Sequence, residues 1–439
     1  MTTWYNRLGE NMDKTILIRY GDLVLKGKNR NIFSNQVNKL IREKLKQIEV
    51  IYEYDHNHVL ITFNEKDYEK VIKRLKLVTG IHSFSVVYRC EPILDEIAKL
   101  AIKVINEEIK EKTTFKIETK RLDKNFPNNS IEISQIISKK ILPYVNNVLV
   151  DVRKPKEILN IVIRHNEAML FLHKEKALGG FPIGVGGKGL VMLSGGIDSP
   201  VSAYMMMKQG VITELFHFES TPLTPLESVQ KVIDISSKLA KYMPRGNIKL
   251  HLVPFTKIHK EILNNVSESY SITIMRRMMY RLAEQYAINN NINSLINGES
   301  VNQVASQTLD SLLVVESVTS LPILRPVIAF DKDDIINISK EIDTYDISIR
   351  PFNDCCSIYV PKKPVIHPTT QKALYEENKF DYKPLIEETL LNIKTLIIRE
   401  ENDINILNYG FDLEDALNNI KDIKNVNWIQ TKSPNKTFK

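Results

Sequence analysis

The chain is poor in cysteine: its 439 residues carry three, Cys90, Cys355 and Cys356. So few argue against a disulfide framework. No apolar run approaches the roughly 20 residues needed to cross a bilayer, so no membrane association is expected. The start, Met1-Thr-Thr-Trp-Tyr-Asn-Arg7, lacks the basic-then-apolar order of a secretory signal. The expected location is therefore the cytoplasm. There is no repeat at solenoid period and no low-complexity tract, which excludes arrays and fibrous folds. A strong charge excess is also missing. Lys plus Arg is 60 against 53 for Asp plus Glu, a net charge of +7. That balance is compatible with nucleic acid but does not identify it.

What is present is ordinary for a globular chain, with 43% hydrophobic and 26% charged residues. At about 150 residues per domain the length suggests roughly three. A strand-like run, Thr15–Tyr20, leads into a basic loop and an amphipathic helix from about Arg30 to Gln47. Two strands, Val50–Tyr54 and Val59–Phe63, and a helix over Lys66–Leu77 complete a small α+β unit. A second unit has strands at Ile81–Tyr88, Thr114–Thr119, Ile158–Arg164 and Ala168–Leu172. Helices at Pro92–Lys110 and Ser130–Leu142 belong to it.

The glycine-dense stretch Gly179–Gly189 reads as a linker or as a loop against a ligand. From Leu190 onward strands and helices alternate, as in a parallel sheet covered on both faces. After about Glu400 the chain turns polar and reads as a peripheral extension.

The most informative string is Val191-Met-Leu-Ser194-Gly195-Gly196-Ile-Asp198-Ser199-Pro200. An apolar strand runs into two glycines that permit a tight turn and expose backbone N–H groups. Ser199 is placed to cap the following helix, whose N-terminus favours an anion. The combination predicts a pyrophosphate cradle. It differs from the nucleotide loop that ends in Gly-Lys-Ser/Thr, because no lysine follows the glycines. A plain strand-to-helix turn is the alternative reading.

The full Ser-Gly-Gly-x-Asp-Ser string resembles the PP-loop ATP pyrophosphatases. Other stretches narrow the resemblance. They include Phe216-His217-Phe218, Arg276-Arg277 on a helix, Asn297-Gly298-Glu299-Ser300 and Gln307. Arg19-Tyr-Gly-Asp-Leu-Val-Leu-Lys26-Gly-Lys28-Asn-Arg30 and Lys120-Arg121-Leu-Asp-Lys124 occur earlier in the chain. Leu324-Arg-Pro-Val-Ile-Ala-Phe-Asp-Lys332 and Arg350-Pro-Phe-Asn-Asp-Cys355-Cys356 occur later. In this order they resemble the tRNA 4-thiouridine synthase (tRNA sulfurtransferase) family over about residues 13–398.

The resemblance implies an α+β N-terminal half, made of a ferredoxin-like domain (12–77) and a THUMP RNA-binding domain (78–175). An α/β PP-loop domain with a parallel sheet (176–398) would follow, then an extension over 399–439. It implies ATP bound along Met192, Leu193, Ser194, Gly195, Gly196, Ser199, His217, Phe218, Arg276, Gly298 and Gln307. Asp198 would act at the pyrophosphate or its Mg2+. Lys332 would assist adenylation, the alternative being a surface lysine at a helix start. Arg19, Lys26, Lys28 and Arg30 in the first loop, and Lys120, Arg121 and Lys124 in the THUMP domain, would contact tRNA phosphates.

Adjacent cysteines do not suit a metal, whose cysteine ligands are spaced apart and need further partners. No resident metal site is expected. Cys355 falls at the family's sulfur-bearing position, with Cys356 as substitute or resolving partner. Two buried apolar cysteines is the alternative. Longer relatives carry a rhodanese-like domain with a further cysteine. None follows Cys356 here, so the expected relay runs directly from a cysteine desulfurase. The same shortfall weighs against a second role in thiamine thiazole synthesis. Asn297 departs from the Ser or Thr usual in the family.

The implied assembly is a homodimer acting on uridine 8 of tRNA. Two other readings stay open at this point. One is another PP-loop adenylating synthetase, which would need neither cysteine. The other is a THUMP RNA-binding protein with an inactive ATP site.

Overall fold

The computed structural model describes residues 13–21, 30–55, 58–301, 303, 305–352, 354, 355, 361, 363–401, 404–420, 428 and 429. The chain divides into two compact units, Met1–Gly180 and Phe181–Lys439.

In unit 1 the chain runs β1 (Asp13–Tyr20), α1 (Arg30–Leu45), β2 (Ile51–Tyr54), β3 (His58–Asn64), α2 (Tyr68–Leu75) and β4 (Ile81–Cys90). It continues through α3 (Leu94–Glu108), β5 (Thr113–Arg121), α4 (Ser130–Ile141), β6 (Val148–Val150), β7 (Glu157–Ile163), β8 (Ala168–Phe171) and β9 (Glu175–Lys176). The helices form where apolar residues recur at three- and four-residue spacing. Val37, Leu40, Ile41 and Leu45 of α1 are buried in this way. Asn129 and Glu132 start α4 with a reciprocal capping box.

Among the described residues the strands form one sheet in the order β2-β3-β1-β4-β8-β7-β5-β6, with β9 paired to β4. The first four strands and their two helices make the ferredoxin-like β-α-β-β-α-β arrangement. The strands β6 and β9 were not anticipated from sequence. They hold three and two residues, too few for a period-2 pattern to register.

Unit 2 opens with β10 (Lys188–Met192), α5 (Asp198–Lys208), β11 (Ile212–Glu219), α6 (Leu226–Ala240), β12 (Asn247–Pro254), α7 (Thr256–Asn265) and α8 (Ser271–Asn289). Next come β13 (Ser294–Ile296), α9 (Leu309–Glu316), β14 (Ile323–Leu324), α10 (Lys332–Glu341), α11 (Tyr345–Ser348), α12 (Thr370–Glu377) and α13 (Tyr382–Leu391). The unit closes with β15 (Lys394–Arg399), α14 (Leu413–Ile420) and β16 (Trp428–Ile429). The sheet order is β14-β13-β10-β11-β12-β15-β16. The first five strands are parallel. The last two run antiparallel, so the expected parallel sheet carries a mixed edge.

After β10 the chain winds to β11 and β12 on one side, then returns to β13 on the other. The carboxyl end of β10 is thus a topological switch point, where open α/β sheets bind ligands.

The glycine-dense stretch after Gly180 has a structural reason of its own. Gly184 and Gly186 donate to the Gly210 carbonyl at 2.8 and 3.0 Å. A Cβ on Gly186 would lie 3.1 Å from that same backbone. Glycine here permits close backbone approach to the turn after α5.

Residues 404–420, which the polar composition after Glu400 suggested were a peripheral extension, are packed against the unit. Ile406, Leu417 and Ile420 are buried. The Gln230 amide of α6 donates to the Ile404 carbonyl (3.0 Å) and accepts from the Ile406 N–H (2.8 Å). A few apolar residues at helical spacing bury this segment despite its polar average.

The core of unit 2 gathers Phe216, Phe218, Phe255, Met275 and Met279. Inside it Arg277 is paired with Glu377 at 2.8 Å, each side chain 1% exposed. Arg277 also donates to the Val314 carbonyl and the Ser317 hydroxyl. Arg277→Met leaves Glu377 buried with Arg281 as its one counter-charge among the described residues. Removing one partner of a buried pair costs about 3–5 kcal/mol. A clear drop in the melting temperature of the Arg277→Met protein is therefore expected by calorimetry, and an unchanged value would refute this.

Candidate active site

The switch point opens into a cavity of about 530 Å³, within the usual range for small-ligand sites. Met192, Leu193, Ser194 and Ser199 line it from the β10–α5 junction. His217 and Phe218 enter from the end of β11, Arg276 from α8, Gly298 from beyond β13, and Gln307 from the stretch before α9. Asp198 and Cys355 reach the same cavity. These residues are spread over more than 160 positions of sequence. Gly195 and Gly196 form the loop beside them, and Cys356 lies outside the described residues.

The loop differs from expectation in one respect. The helix α5 begins at Asp198, and no side chain caps it. Ser199 is already in its first turn. Its hydroxyl accepts from the Ser194 N–H at 2.9 Å and faces the Ser194 carbonyl at 3.2 Å. The turn through Gly195 and Gly196 is so tight that Ser199 meets Ser194 and ties the loop closed. Gly196 N–H donates to the Ser194 hydroxyl at 3.3 Å. Gly195 N–H donates to a carboxylate, Asp354 Oδ2, at 2.8 Å. The loop therefore holds an anionic oxygen.

Lys332, the first residue of α10, sets its ammonium 2.6 Å from Asp198 Oδ1. The Gln303 amide donates to the other Asp198 oxygen at 3.2 Å. The lysine that could have been an isolated surface charge thus meets the acidic residue of the loop.

His217 is 3% exposed. Its Nδ1 lies 2.9 Å from the Leu193 carbonyl. A carbonyl only accepts, so Nδ1 carries the proton and Nε2 is an acceptor. Burial pushes the imidazole below its usual range, opposed by the charge of Asp354, so it is neutral at pH 7.

Arg276 pairs with Glu299 and donates to the Ser306 carbonyl. Glu299 also meets Arg325 at 2.8 Å. Asn297 steers Glu299. Its amide donates to Glu299 at 2.7 Å and to the Tyr280 hydroxyl at 2.5 Å, and its oxygen accepts the Glu299 N–H. The departure at Asn297 thus provides the buried side chain that orders this network. The Gln307 amide oxygen is buried with no hydrogen-bond partner among the described residues.

Gly298 packs directly on the loop-to-helix junction. A Cβ there would sit 2.5 Å from Ser199 N and 2.6 Å from the Asp198 carbonyl carbon. Both are backbone atoms that cannot yield cheaply. Gly298→Ala should destabilise the protein by about 1–3 kcal/mol, as overpacking does. It should also weaken ATP binding, read by isothermal titration. Wild-type affinity would show that the contact relaxes without consequence.

The proposed RNA-contacting residues lie in unit 1. Arg19 is not in the basic loop. It is on β1, on the same face as Leu17, with its guanidinium 4.6 Å from the Phe171 ring and donating to the Ser85 hydroxyl at 3.0 Å. Strand alternation turns it onto the packed sheet face, where burial lowers its pKa to about 10. Arg30 starts α1 and is half-buried. Arg121 braces its own loop through the Phe126 and Asn128 carbonyls. Lys120 and Lys124 are exposed. Lys26 and Lys28 lie outside the described residues.

Sequence reading missed Arg164, which touches His58 and pairs with Asp55 at 3.3 Å. The His58 pKa falls to about 4, first through burial and then through the charge of Arg164. Asp55 opposes this, while Arg19 and Lys120 add to it. Arg164, Arg19 and Lys120 thus surround His58 with positive charge at this end of the sheet, beside the acidic Asp55.

Known proteins can now be set beside this geometry. A family profile described as "Thiamine biosynthesis protein (ThiI)" matches residues 184–382. Profiles for the ThiI ferredoxin-like domain and the THUMP domain match residues 15–85 and 93–173. A probable tRNA sulfurtransferase of Acholeplasma laidlawii is 60% identical over 406 residues, which are 92% of this chain and 98% of that protein. The chain belongs to the tRNA sulfurtransferase family.

A crystal structure of a 4-thiouridine synthetase–RNA complex with bound ATP is 32% identical, with a TM-score of 0.81. The match covers 88% of this chain and all of that one. The fold is also shared with PH1313 from Pyrococcus horikoshii, at 22% identity and a TM-score of 0.57, covering 75% of this chain and 99% of that one.

Family resemblance places Asp198, Lys332 and Cys355 in one site, but two further residues at the Ser194–Ser199 loop carry no signal of their own in the sequence. Asp354 is marked in the sequence only by its place beside the cysteines. Lys231 of α6 lies 4% exposed beneath Gly195. Nothing local marks it, because its partners are more than 100 residues away.

Proposed function

We propose that the chain is a tRNA sulfurtransferase that uses ATP to replace O4 of uridine 8 with sulfur. The observation that carries this reading is a single cavity lined by Ser194 and Ser199 of the loop, by Asp198, to which Lys332 is paired, and by Cys355.

In the first step O4 of the uridine attacks the α-phosphorus of ATP. The bond to the β-phosphate oxygen breaks, and pyrophosphate leaves. The loop N–H groups and the α5 N-terminus favour the departing anion. Lys332 sits where it can offset charge that develops during adenylation. Met192, Phe218, Met275 and Met279 give the nucleotide an apolar wall. Magnesium arriving with ATP would need one or two protein carboxylates beside the phosphates. Asp198 is the carboxylate suited to hold it, and the ion would neutralise phosphate charge.

In the second step Cys355 carries a persulfide, whose terminal sulfur a cysteine desulfurase supplies. That sulfur attacks C4, the C4–O bond breaks, and AMP leaves. A second thiol then attacks the Cys355 sulfur and releases 4-thiouridine. Cys356 is the candidate for that thiol, and an external thiol reduces the resulting disulfide.

Unit 1 supplies the tRNA contacts, through Arg164, Lys120 and Lys124 above all. A homodimer in the cytoplasm, with tRNA held by one copy and modified by the other, belongs to the same proposal. Among the described residues no helix is long and apolar enough to cross a membrane.

The test is pyrophosphate release from ATP. It should require tRNA with uridine at position 8 and fall to background when that base is replaced by cytidine. Release that ignores tRNA would point to another adenylating synthetase.

A further inference from the structure

The loop Ser194–Ser199 has no lysine of its own, and its Gly195 N–H is occupied by the carboxylate that precedes Cys355. Asp354 Oδ2 accepts from Gly195 at 2.8 Å. The segment bearing Asp354 is strapped to α6 at two points. Lys231 Nζ donates to the Arg350 carbonyl at 3.0 Å and to the Phe352 carbonyl at 3.4 Å. The Arg350 guanidinium pairs with Asp234, one turn along the same helix. Lys231 also passes under the phosphate loop, since a Cβ on Gly195 would touch its Cδ and Cε at 3.1 Å and Asp354 Oδ1 at 3.2 Å. One buried lysine therefore joins the loop to the sulfur-bearing segment.

Cys355 follows Asp354 directly and is 4% exposed, within the core cluster that contains Met275 and Met279. A persulfide carrier must accept sulfur from an outside donor, and Cys355, set deep in the cavity wall, offers that donor little surface. Two anions also cannot share one N–H at hydrogen-bond distance. A nucleotide phosphate seated on Gly195 has to evict the Asp354 carboxylate, and the adjoining Cys355 moves with it.

We propose that Lys231 is a positioning residue that ties the Arg350–Phe352 backbone to the phosphate loop, and that a nucleotide phosphate entering the loop takes the Gly195 N–H from Asp354 and thereby frees Cys355. This rests on the ATP-dependent reading above and adds an order to it. The thiol is sequestered until nucleotide is bound. Lys231 stays beside Gly195 throughout and passes its charge from the Asp354 carboxylate to the phosphate. It supplies from a neighbouring helix the cation that other phosphate loops carry in their own sequence.

The test reads thiol access without tRNA or sulfur transfer. The full-length Cys356→Ser protein is treated with N-ethylmaleimide, and labelling of Cys355 is followed by mass spectrometry. The reaction is run alone and with ATP, inorganic pyrophosphate or adenosine. ATP binding is measured by equilibrium dialysis on the same samples.

ATP and pyrophosphate should each accelerate labelling about tenfold, as ligands that favour one of two states by their differential affinity do. Adenosine, which lacks phosphate, should not. Asp354→Asn should label quickly with no ligand. Lys231→Met should do the same and lose the response to ATP, while Lys231→Arg restores the response. Melting curves establish that each variant is folded.

ATP that binds yet leaves the Cys355 rate unchanged or slower overturns the proposal, and this arm needs no variant at Lys231. A Lys231→Met protein with the unsubstituted response overturns it equally. Absence of ATP binding would remove the functional reading itself, and this inference with it.

Discussion

A chain carrying Cys355→Ala and Cys356→Ala should adenylate tRNA and fail to thiolate it. Thiolated product should drop by about 10⁴-fold or more, the scale seen when a nucleophile is removed. Pyrophosphate release should stay within a few-fold of the unsubstituted protein. The two steps separate because they use different parts of the cavity. In the proposed mechanism adenylation draws on the Ser194–Ser199 loop and on the paired Asp198 and Lys332. Sulfur transfer needs a thiol that reaches C4 of the activated base. Cys355 lines the cavity, and no cysteine follows Cys356 in the chain. Parallel assays of pyrophosphate and of thiolated nucleoside check this. Thiolation that survives the double substitution would place the sulfur on another carrier.

Asp198→Asn should slow both steps. The carboxylate stands at the start of α5 beside the phosphate loop, bonded to Lys332 and Gln303. Asparagine keeps the shape and removes the charge that holds Lys332 and would hold magnesium. Losing an electrostatic contact to a reacting phosphate costs about 10²–10³ in rate. Lys332→Met should cost a similar factor. The two residues touch, so the double variant Asp198→Asn/Lys332→Met should be little worse than either single one. Pyrophosphate release under saturating ATP measures all three. Multiplicative losses would show that the residues act independently.

Much of this site was legible in the sequence because its parts are local. The strand, glycine turn and helix around Ser194–Ser199 occupy a dozen residues, and their chemistry follows from their order. His217 and Phe218 end a strand, which in an alternating α/β pattern puts them at the ligand-binding edge.

What escaped notice is held together over long distances. Lys231 reads as one more polar position on an amphipathic helix. The role proposed for it emerges only when the fold brings the Arg350 and Phe352 carbonyls to it. Arg19 belongs to a basic-looking motif, yet strand alternation points it at Phe171. Ser199 has the right residue type for a cap, and the tightness of the turn gives it a different partner. The packed segment after Glu400 was hidden by its polar average, although Ile406, Leu417 and Ile420 carry its contacts.

The central claim is that one cavity couples ATP cleavage to sulfur delivery on tRNA. Its most direct test is mass spectrometry of nucleosides from unmodified tRNA after incubation with this protein, ATP, magnesium, cysteine and a validated cysteine desulfurase. The account predicts 4-thiouridine at position 8, formed only when ATP is present. Absence of any thiolated nucleoside, with tRNA and ATP both shown to bind, would contradict it.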